Sequence, residues 1–201
     1  MVSTSGSQLL PQNAVQDVRT KLLPLATVLT PNIPEAKLLL ENAEIAYQDP
    51  QNIKDLIQLA KQLHLLGPKS ILLKGGHLPL TKERVAAKGL QEACIVVDVL
   101  YNGLDVTLLE TDFLTSRNTH GTGCSLASAI AANLALGESL ERAVRAAVRY
   151  VEAGIKTSVD MGKGCGPINH FHSLYSLPFA PYEFHFLNPH PCSAYNFRLL
   201  I

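Results

Sequence analysis

The apolar positions along the first 170 residues follow two alternating patterns. Segments with an apolar residue every three or four positions predict helices, and short continuous apolar runs between them predict strands. The predicted helices are 13–23, 34–42, 50–66, 122–136 and 139–158, and the predicted strands are 25–30, 70–74, 94–101 and 106–110. Helices and strands that alternate in this way favour an α/β fold with a largely parallel sheet.

Local signals mark several ends of these elements. Asp49 and Pro50 have the residue types of an N-cap and a first helical position, so they predict where the third helix begins. Gly67-Pro68 predicts its end, and Asn102-Gly103 predicts a hairpin between the last two strands. The helix 122–136 is rich in alanine and apolar nearly all round, which predicts that it is buried.

The composition restricts the class of protein. The chain has 201 residues, with 17 basic and 17 acidic side chains and a net charge of zero, which argues against a nucleic-acid partner. No stretch approaches the roughly 20 apolar residues of a membrane helix, and residues 1–10 lack a signal-peptide pattern. The four cysteines have no metal-type spacing, so we expect a reduced, cytoplasmic protein with no membrane partner.

The last part of the chain departs from this pattern. Residues 171–201 contain eight of the twelve aromatic residues but only two charged ones, Glu183 and Arg198. No helical or strand period continues there. We therefore predict a domain over residues 1–182 and an irregular tail over 183–201.

The sequence N-T-H-G-T-G-C at 118–124, directly before the alanine-rich helix, is the strongest candidate site. Gly121 and Gly123 flank Thr122, so the backbone can turn tightly and present its N–H groups at the positive end of a helix. Such a turn binds anions and suits phosphoryl transfer. Cys124 on the first turn, where a thiolate is favoured, could accept a proton. An ordinary glycine-rich turn with a buried cysteine accounts for these residues equally well.

Two further candidates follow predicted strands. Asn32 and Glu35 offer the amide and carboxylate oxygens that suit Mg²⁺, although a simple helix N-terminus explains them as well. Lys74 ends a strand next to two glycines and is placed to contact a phosphate, or else extends into water from the sheet rim. The glycine-rich segment 162–167 could let a nucleotide approach its backbone, or it is a plain loop.

Taken together, four segments resemble one family. T-P-N-I-P-E-A (30–36), L-K-G-G-H (73–77), N-T-H-G-T-G-C-S (118–125) and G-K-G-C-G-P-I-N-H-F (162–171) have the order and spacing found in the hydroxymethylpyrimidine/phosphomethylpyrimidine kinases of thiamine biosynthesis. These enzymes belong to the ribokinase-like superfamily, and the chain looks closest to fungal members. The resemblance implies a three-layer α/β/α fold, ATP and Mg²⁺ as cofactors, and a small pyrimidine substrate.

The resemblance also implies roles for individual residues. The anion hole for the transferred phosphoryl group would consist of Gly121, Thr122 and Gly123. Cys124 stands where most ribokinase-like enzymes carry a catalytic aspartate, and would be the proton acceptor.

The same resemblance assigns the cofactor-binding residues. Lys74 matches the lysine that approaches the ATP phosphates. Asn32 and Glu35 match the motif that handles phosphate and, indirectly, Mg²⁺.

The start of the chain departs from the family pattern. Residues 1–6 resemble a stretch that follows a mid-domain strand, so the opening strand and the Gly/Ser-rich substrate loop have no counterpart. We expect a kinase domain incomplete at its N-terminus, whose uncovered surfaces favour association as a homodimer. The alternatives are a pyridoxal kinase, and an inactive truncated paralogue that keeps only the nucleotide-binding half.

Overall fold

The structure, a computed structural model, describes residues 10–174 and divides into two compact units. The first unit comprises residues 10–113 and the second comprises residues 114–174 of the described part. The predicted tail over 183–201 lies outside the described residues. Each unit is built from its own secondary structure.

The first unit contains three α-helices, α1 (Gln12–Asp17), α2 (Ile33–Asn42) and α3 (Ile53–His64). Helical backbone continues beyond α1 as a wider π turn over Val18–Leu22 and a 3-10 turn over Leu23–Leu25. The helix predicted over 13–23 is therefore present, although only its first part is α-helical.

Its sheet has three strands, β1 (Ile71–Leu73), β2 (Ile95–Tyr101) and β3 (Val106–Asp112), in that order. Both pairings are antiparallel, with Ile71 opposite Tyr101 and Ile95 opposite Asp112. The prediction of a largely parallel sheet is wrong for the described residues. A parallel pair requires a long crossover, normally a helix, whereas a hairpin joins β2 to β3 and no helix lies between β1 and β2.

Parallel pairing in this unit occurs as isolated bridges next to β1. Leu29 pairs with Ile71, and Asn32 pairs with Lys74. The segment 25–30 does not form the predicted strand. Pro31 has no N–H to donate, which interrupts a ladder along this edge.

The core of the first unit lies between the helices and one face of the sheet. Helix α3 packs against β1 and β2, and α2 packs against α3. The fully buried side chains of this core include Leu39, Leu40, Leu56, Leu63, Ile71, Leu73 and Val99. The helical spacing of the leucines in α3 is the pattern that predicted this amphipathic helix.

The start of α3 differs from the prediction. Asn52, not Asp49, is the N-cap, and its Oδ1 accepts hydrogen bonds from the backbone N–H of Lys54 at 2.8 Å and of Asp55 at 3.2 Å. Asp49 is exposed and pairs with Lys37. Both residue types are good caps, and the extended backbone at Asn52 decides between them.

The second unit contains two helices, α4 (Thr122–Ala135) and α5 (Leu140–Lys156), which pack against each other. Leu126 and Ile130 are the buried residues of α4, whereas Leu136 after its end is 83% exposed. The prediction that this helix is buried is therefore wrong among the described residues, because only one narrow stripe of α4 is covered. None of the helices within residues 10–174 is long and apolar enough to cross a membrane.

We predict that Asn52→Ala destabilises the protein by about 1 kcal/mol, because two N–H groups of α3 lose their acceptor. The melting temperature should fall by about 2–4 °C in a thermal unfolding experiment. The control is Asp49→Ala, which removes an exposed ion pair and should change the free energy of unfolding by less than about 0.5 kcal/mol. Equal losses in both variants would contradict the assignment of the cap.

Candidate active site

Lys74 lies directly after β1, and the glycine that follows it lies close to the backbone of β2. The backbone N–H of Gly75 donates a hydrogen bond of 2.8 Å to Oδ1 of Asp98. A Cβ atom on Gly75 would lie 2.0 Å from the carbonyl oxygen of Val97, so only glycine fits. This contact fixes the backbone next to Lys74.

Asn32 and Glu35 form a reciprocal cap at the start of α2. Oδ1 of Asn32 accepts from the N–H of Glu35 at 2.8 Å, and Oε2 of Glu35 accepts from the N–H of Asn32 at 3.0 Å. Because Asn32 also bridges to Lys74, the structure brings these three predicted residues to one edge of the first unit. The capping interaction accounts for the local role of the Asn32–Glu35 pair.

The charged and titratable groups around Lys74 influence one another. Burial raises the pKa of Asp98 to about 6, against opposing effects of the Gly75 N–H and the Lys74 charge. The pKa of His77 is lowered, first by partial removal from water and then by Lys74, while Glu35 acts in the opposite direction. A lysine, two acids and a histidine thus share one electrostatic environment.

Asp98 is not among the residues predicted from the sequence. The available signal was one acidic residue within the apolar strand I-V-V-D-V-L-Y at 95–101. A half-buried carboxylate needs partners, so an acid at such a position points to a specific interaction. Its partner, the Gly75 N–H, is 23 positions earlier in the chain and could not be read from local sequence.

In the second unit, Gly121 forms the N-cap of α4 with a left-handed backbone, at φ of 86°. No side chain among the described residues caps this helix, whereas Asn32, Asn52 and Ser139 cap α2, α3 and α5. Cys124 is exposed on the first turn. An uncapped, glycine-led helix N-terminus presents backbone N–H groups and the positive end of the dipole to an anion, and here the Thr122 N–H also makes a long hydrogen bond of 3.4 Å to the carbonyl of Thr119.

The glycine-rich loop after α5 is attached to the segment that leads into α4. Asn118 is 2% exposed, and its Nδ2 donates to Oδ1 of Asp160 at 2.8 Å. Arg117 pairs with Asp160 at 3.0 Å and donates to the carbonyl of Gly162 at 2.9 Å. The hydrogen bonds from Asn118 and then Arg117 lower the pKa of Asp160. Polar contacts therefore connect the segment around motif 118–125 to the segment around motif 162–171.

Two further close contacts complete this attachment. The N–H of His120 donates to the carbonyl of Gly166 at 3.1 Å. A Cβ atom on Gly166 would lie 2.1 Å from Oδ1 of Asn118, so the buried Asn118 side chain would have to shift to admit a larger residue. His120 is thus placed by its backbone. The described residues contain no group of three or more His, Cys, Asp or Glu side chains that could hold a metal ion.

The predicted site residues therefore form two groups, one in each unit. The first group is Asn32, Glu35 and Lys74, joined through backbone bridges and a shared electrostatic environment. The second is Gly121, Thr122, Gly123 and Cys124, at the start of α4.

Residues 1–169 match the phosphomethylpyrimidine kinase family. This range contains three of the four motifs in full and most of the fourth. The chain belongs to this family. Its members are phosphotransferases by name. The family predicted from the four motifs is thus confirmed.

Curated relatives of this kinase family agree with the match. The chain is 41% identical over 175 residues to a hydroxymethylpyrimidine/phosphomethylpyrimidine kinase of Synechococcus elongatus, covering 87% of this chain and 60% of that protein. It is 38% identical over 182 residues to a hydroxymethylpyrimidine/phosphomethylpyrimidine kinase of Saccharomyces cerevisiae, covering 87% of this chain and 31% of that protein. The chain therefore spans less than two thirds of the length of these relatives, and fungal enzymes are among them.

Solved structures of related kinases support the fold class. The chain is similar to the ADP complex of Bacillus subtilis pyridoxal kinase, with a TM-score of 0.67 and 30% identity over 83% of this chain and 58% of that one. It is also similar to the Clostridium difficile phosphomethylpyrimidine kinase, with a TM-score of 0.55 and 32% identity over 76% of this chain and 53% of that one. The predicted ribokinase-like α/β fold is confirmed.

We predict that Gly166→Ala destabilises the protein, because the new methyl group would collide with the buried Asn118 side chain. Overpacking of this kind costs about 1–3 kcal/mol in urea or thermal unfolding. Gly164→Ala is the matched control, since a Cβ at Gly164 would meet nothing within 4 Å. A Gly166→Ala variant as stable as the control would contradict the close contact.

We predict that Asp98→Asn stabilises the protein more at pH 7 than at pH 4. The pKa of Asp98 is raised from 3.8 to about 6, so the folded state binds the proton more tightly than the unfolded chain. Its favourable contribution is present below about pH 4 and is lost as the pH rises through about 6. Asparagine does not suffer this loss and can still accept from Gly75.

The measurement is the difference in melting temperature between the variant and the wild type at the two pH values. For a half-buried group we expect an effect on the order of 1 kcal/mol, or about 2–4 °C. Asp105→Asn, which removes the same charge from an exposed turn, is the control. A difference that does not depend on pH would refute the raised pKa of Asp98.

Proposed function

We propose that this chain transfers the γ-phosphoryl group of ATP to hydroxymethylpyrimidine, to its monophosphate, or to both, in thiamine biosynthesis. The observation that carries the proposal is the uncapped, glycine-led N-terminus of α4 with Cys124 on its first turn, in a chain of the phosphomethylpyrimidine kinase family. Fixed N–H donors at such a position suit a migrating phosphoryl group, whose oxygens carry the developing charge. The relatives named for this activity support the substrate class.

In the proposed reaction, a substrate oxygen forms a bond to the γ-phosphorus while the bond to the leaving ADP breaks. The N–H groups of Gly121, Thr122 and Gly123 would bind the oxygens of the transferred group. The proton of a substrate hydroxyl would pass to the Sγ atom of Cys124 acting as a general base. Exposure of Cys124 leaves its sulfur accessible to a substrate.

Lys74 would contact the ATP phosphates as a point charge. The ADP complex of the similar pyridoxal kinase supports nucleotide use by this fold. The Asn32–Glu35 pair fits Mg²⁺ only indirectly, because one side-chain oxygen of each residue accepts the partner's N–H. These residues would hold the ion through water, and it would supply charge neutralisation at the phosphates.

Pyridoxal is the second candidate substrate, because a pyridoxal kinase is among the similar solved structures. Cys124 in place of the aspartate typical of ribokinase-like enzymes favours the pyrimidine. We further propose that the chain acts in the cytoplasm, and that exposed apolar residues such as Leu25, at 79% exposure, favour a homodimer. An inactive chain that binds ATP is the remaining alternative.

The test uses the purified chain with Mg-ATP and, in turn, hydroxymethylpyrimidine, its monophosphate and pyridoxal, and follows ADP release. We expect turnover with a pyrimidine, and a loss of kcat of about 10²–10⁴-fold in Cys124→Ala with little change in the KM for ATP, because a general base contributes on this scale. Cys94→Ala, at a cysteine outside both site groups, is the control.

The outcomes separate the alternatives. Turnover with pyridoxal only would support the second candidate, and ATP binding without turnover on any substrate would support the inactive chain. Equal turnover in Cys124→Ala and the wild type would exclude Cys124 as the base.

A further inference from the structure

Asp98 is an acidic residue that the proposed reaction does not use. It lies in the middle of β2, opposite Leu109 of β3, and its strand neighbours Val97 and Val99 are buried. Partial burial of a carboxylate costs free energy unless a partner compensates it. The partner that the structure provides is the Gly75 N–H, at 2.8 Å.

The contact with Gly75 acts on the residue next to it. Lys74 precedes Gly75, and its own N–H donates to the carbonyl of Pro31 at 2.9 Å. The N–H groups of Lys74 and Gly75 are therefore both hydrogen-bonded. The first donates to Pro31, just before α2, and the second donates to Asp98. On the side of β2, the carbonyl oxygen of Val97 leaves no room for a Cβ atom at position 75.

A purely structural role for Asp98 is the competing explanation. Burial raises the pKa of this carboxyl to about 6, so at neutral pH the acid lowers stability relative to an uncharged acceptor. An asparagine would accept the same hydrogen bond without that cost. The hydrogen bond of Asp98 nevertheless ends on the amide next to Lys74, so we expect its effect on that lysine as well as on stability.

We propose that Asp98 is a positioning residue, whose carboxylate holds the Gly75 amide and thereby fixes Lys74 at the end of β1 for contact with nucleotide phosphates. This inference rests on the proposed phosphate-binding role of Lys74. Asp98 acts through the backbone and does not itself touch the nucleotide. The charged groups that face this turn are Lys74, His77 and Glu35.

The first test measures the affinity of the full chain for Mg-ATP by calorimetry. We expect about tenfold weaker binding in Asp98→Ala, the effect of losing one hydrogen bond to a charged group. Asp98→Asn should restore binding to within about threefold of the wild type, because its amide oxygen can accept from Gly75. Asp105→Asn, at an exposed position in the β2–β3 turn, is the control and should bind as the wild type does.

A second measurement does not depend on a variant that could fail to fold, or on nucleotide. In the wild type, the amide proton of Gly75 should follow the protonation of Asp98 in an NMR titration, with a midpoint near pH 6. In Asp98→Asn this transition should disappear. Together with rescue of binding by asparagine, it would support a role through the Gly75 hydrogen bond.

Three results would overturn the inference: wild-type affinity in Asp98→Ala, affinity in Asp98→Asn as weak as in a folded Asp98→Ala, or a Gly75 amide that does not respond to pH. In each of these cases the wild type still binds Mg-ATP, and the proposed function stands. A wild-type chain that binds no Mg-ATP would contradict the proposed function first, and would leave Lys74 without a nucleotide to contact.

Discussion

The close approach of Gly75 to β2 is the contact on which the first site group depends. Directly after β1, Gly75 lies so close to the carbonyl oxygen of Val97 that a Cβ atom at this position would be 2.0 Å from it. The Gly75 N–H donates to Asp98, and the bridge from Asn32 to Lys74 attaches the start of α2 next to the same residue. A helix cap, a strand end and a half-buried acid therefore lie next to a glycine whose missing side chain permits the close contact.

The second unit uses polar side chains for a similar purpose. Asp160 accepts from both Arg117 and Asn118, and Arg117 also reaches the backbone of Gly162. These contacts hold the glycine-rich loop beside the turn that begins α4. Among the described helices, α4 with Gly121 at its head and α1 lack a side-chain cap, whereas α2, α3 and α5 have one. The missing cap is consistent with a backbone that is kept available to an anion.

Local sequence predicted the elements well and their partners poorly. The amphipathic spacing in α3 and α5 and the Asn102-Gly103 turn depend on neighbours a few residues apart, so a pattern could reveal them. Asparagine and aspartate are both good N-cap residues, so the sequence did not distinguish Asn52 from Asp49. The extended backbone at Asn52 made that residue the cap. The assumption of a parallel sheet failed because alternating elements do not specify whether a helix lies between paired strands.

The candidate active site shows the same difference between what local sequence predicts and what it does not. The residue types at 32–35, 73–77, 118–125 and 162–171 were sufficient to indicate the family, because each motif carries its chemistry within a few consecutive positions. Asp98 could not be identified from local sequence. The role of an acid in an apolar strand depends on the residue that it contacts, and Gly75 lies 23 positions away. The exposure of α4 likewise depends on what packs against it and not on its own composition. The sequence by itself thus determined the helices, three of the four predicted strands and the family, and the tertiary structure decided strand direction, the helix cap and the partner of Asp98. The physical reason is that propensity and periodicity act between near neighbours, whereas pairing, burial and desolvation are set by distant parts of the chain.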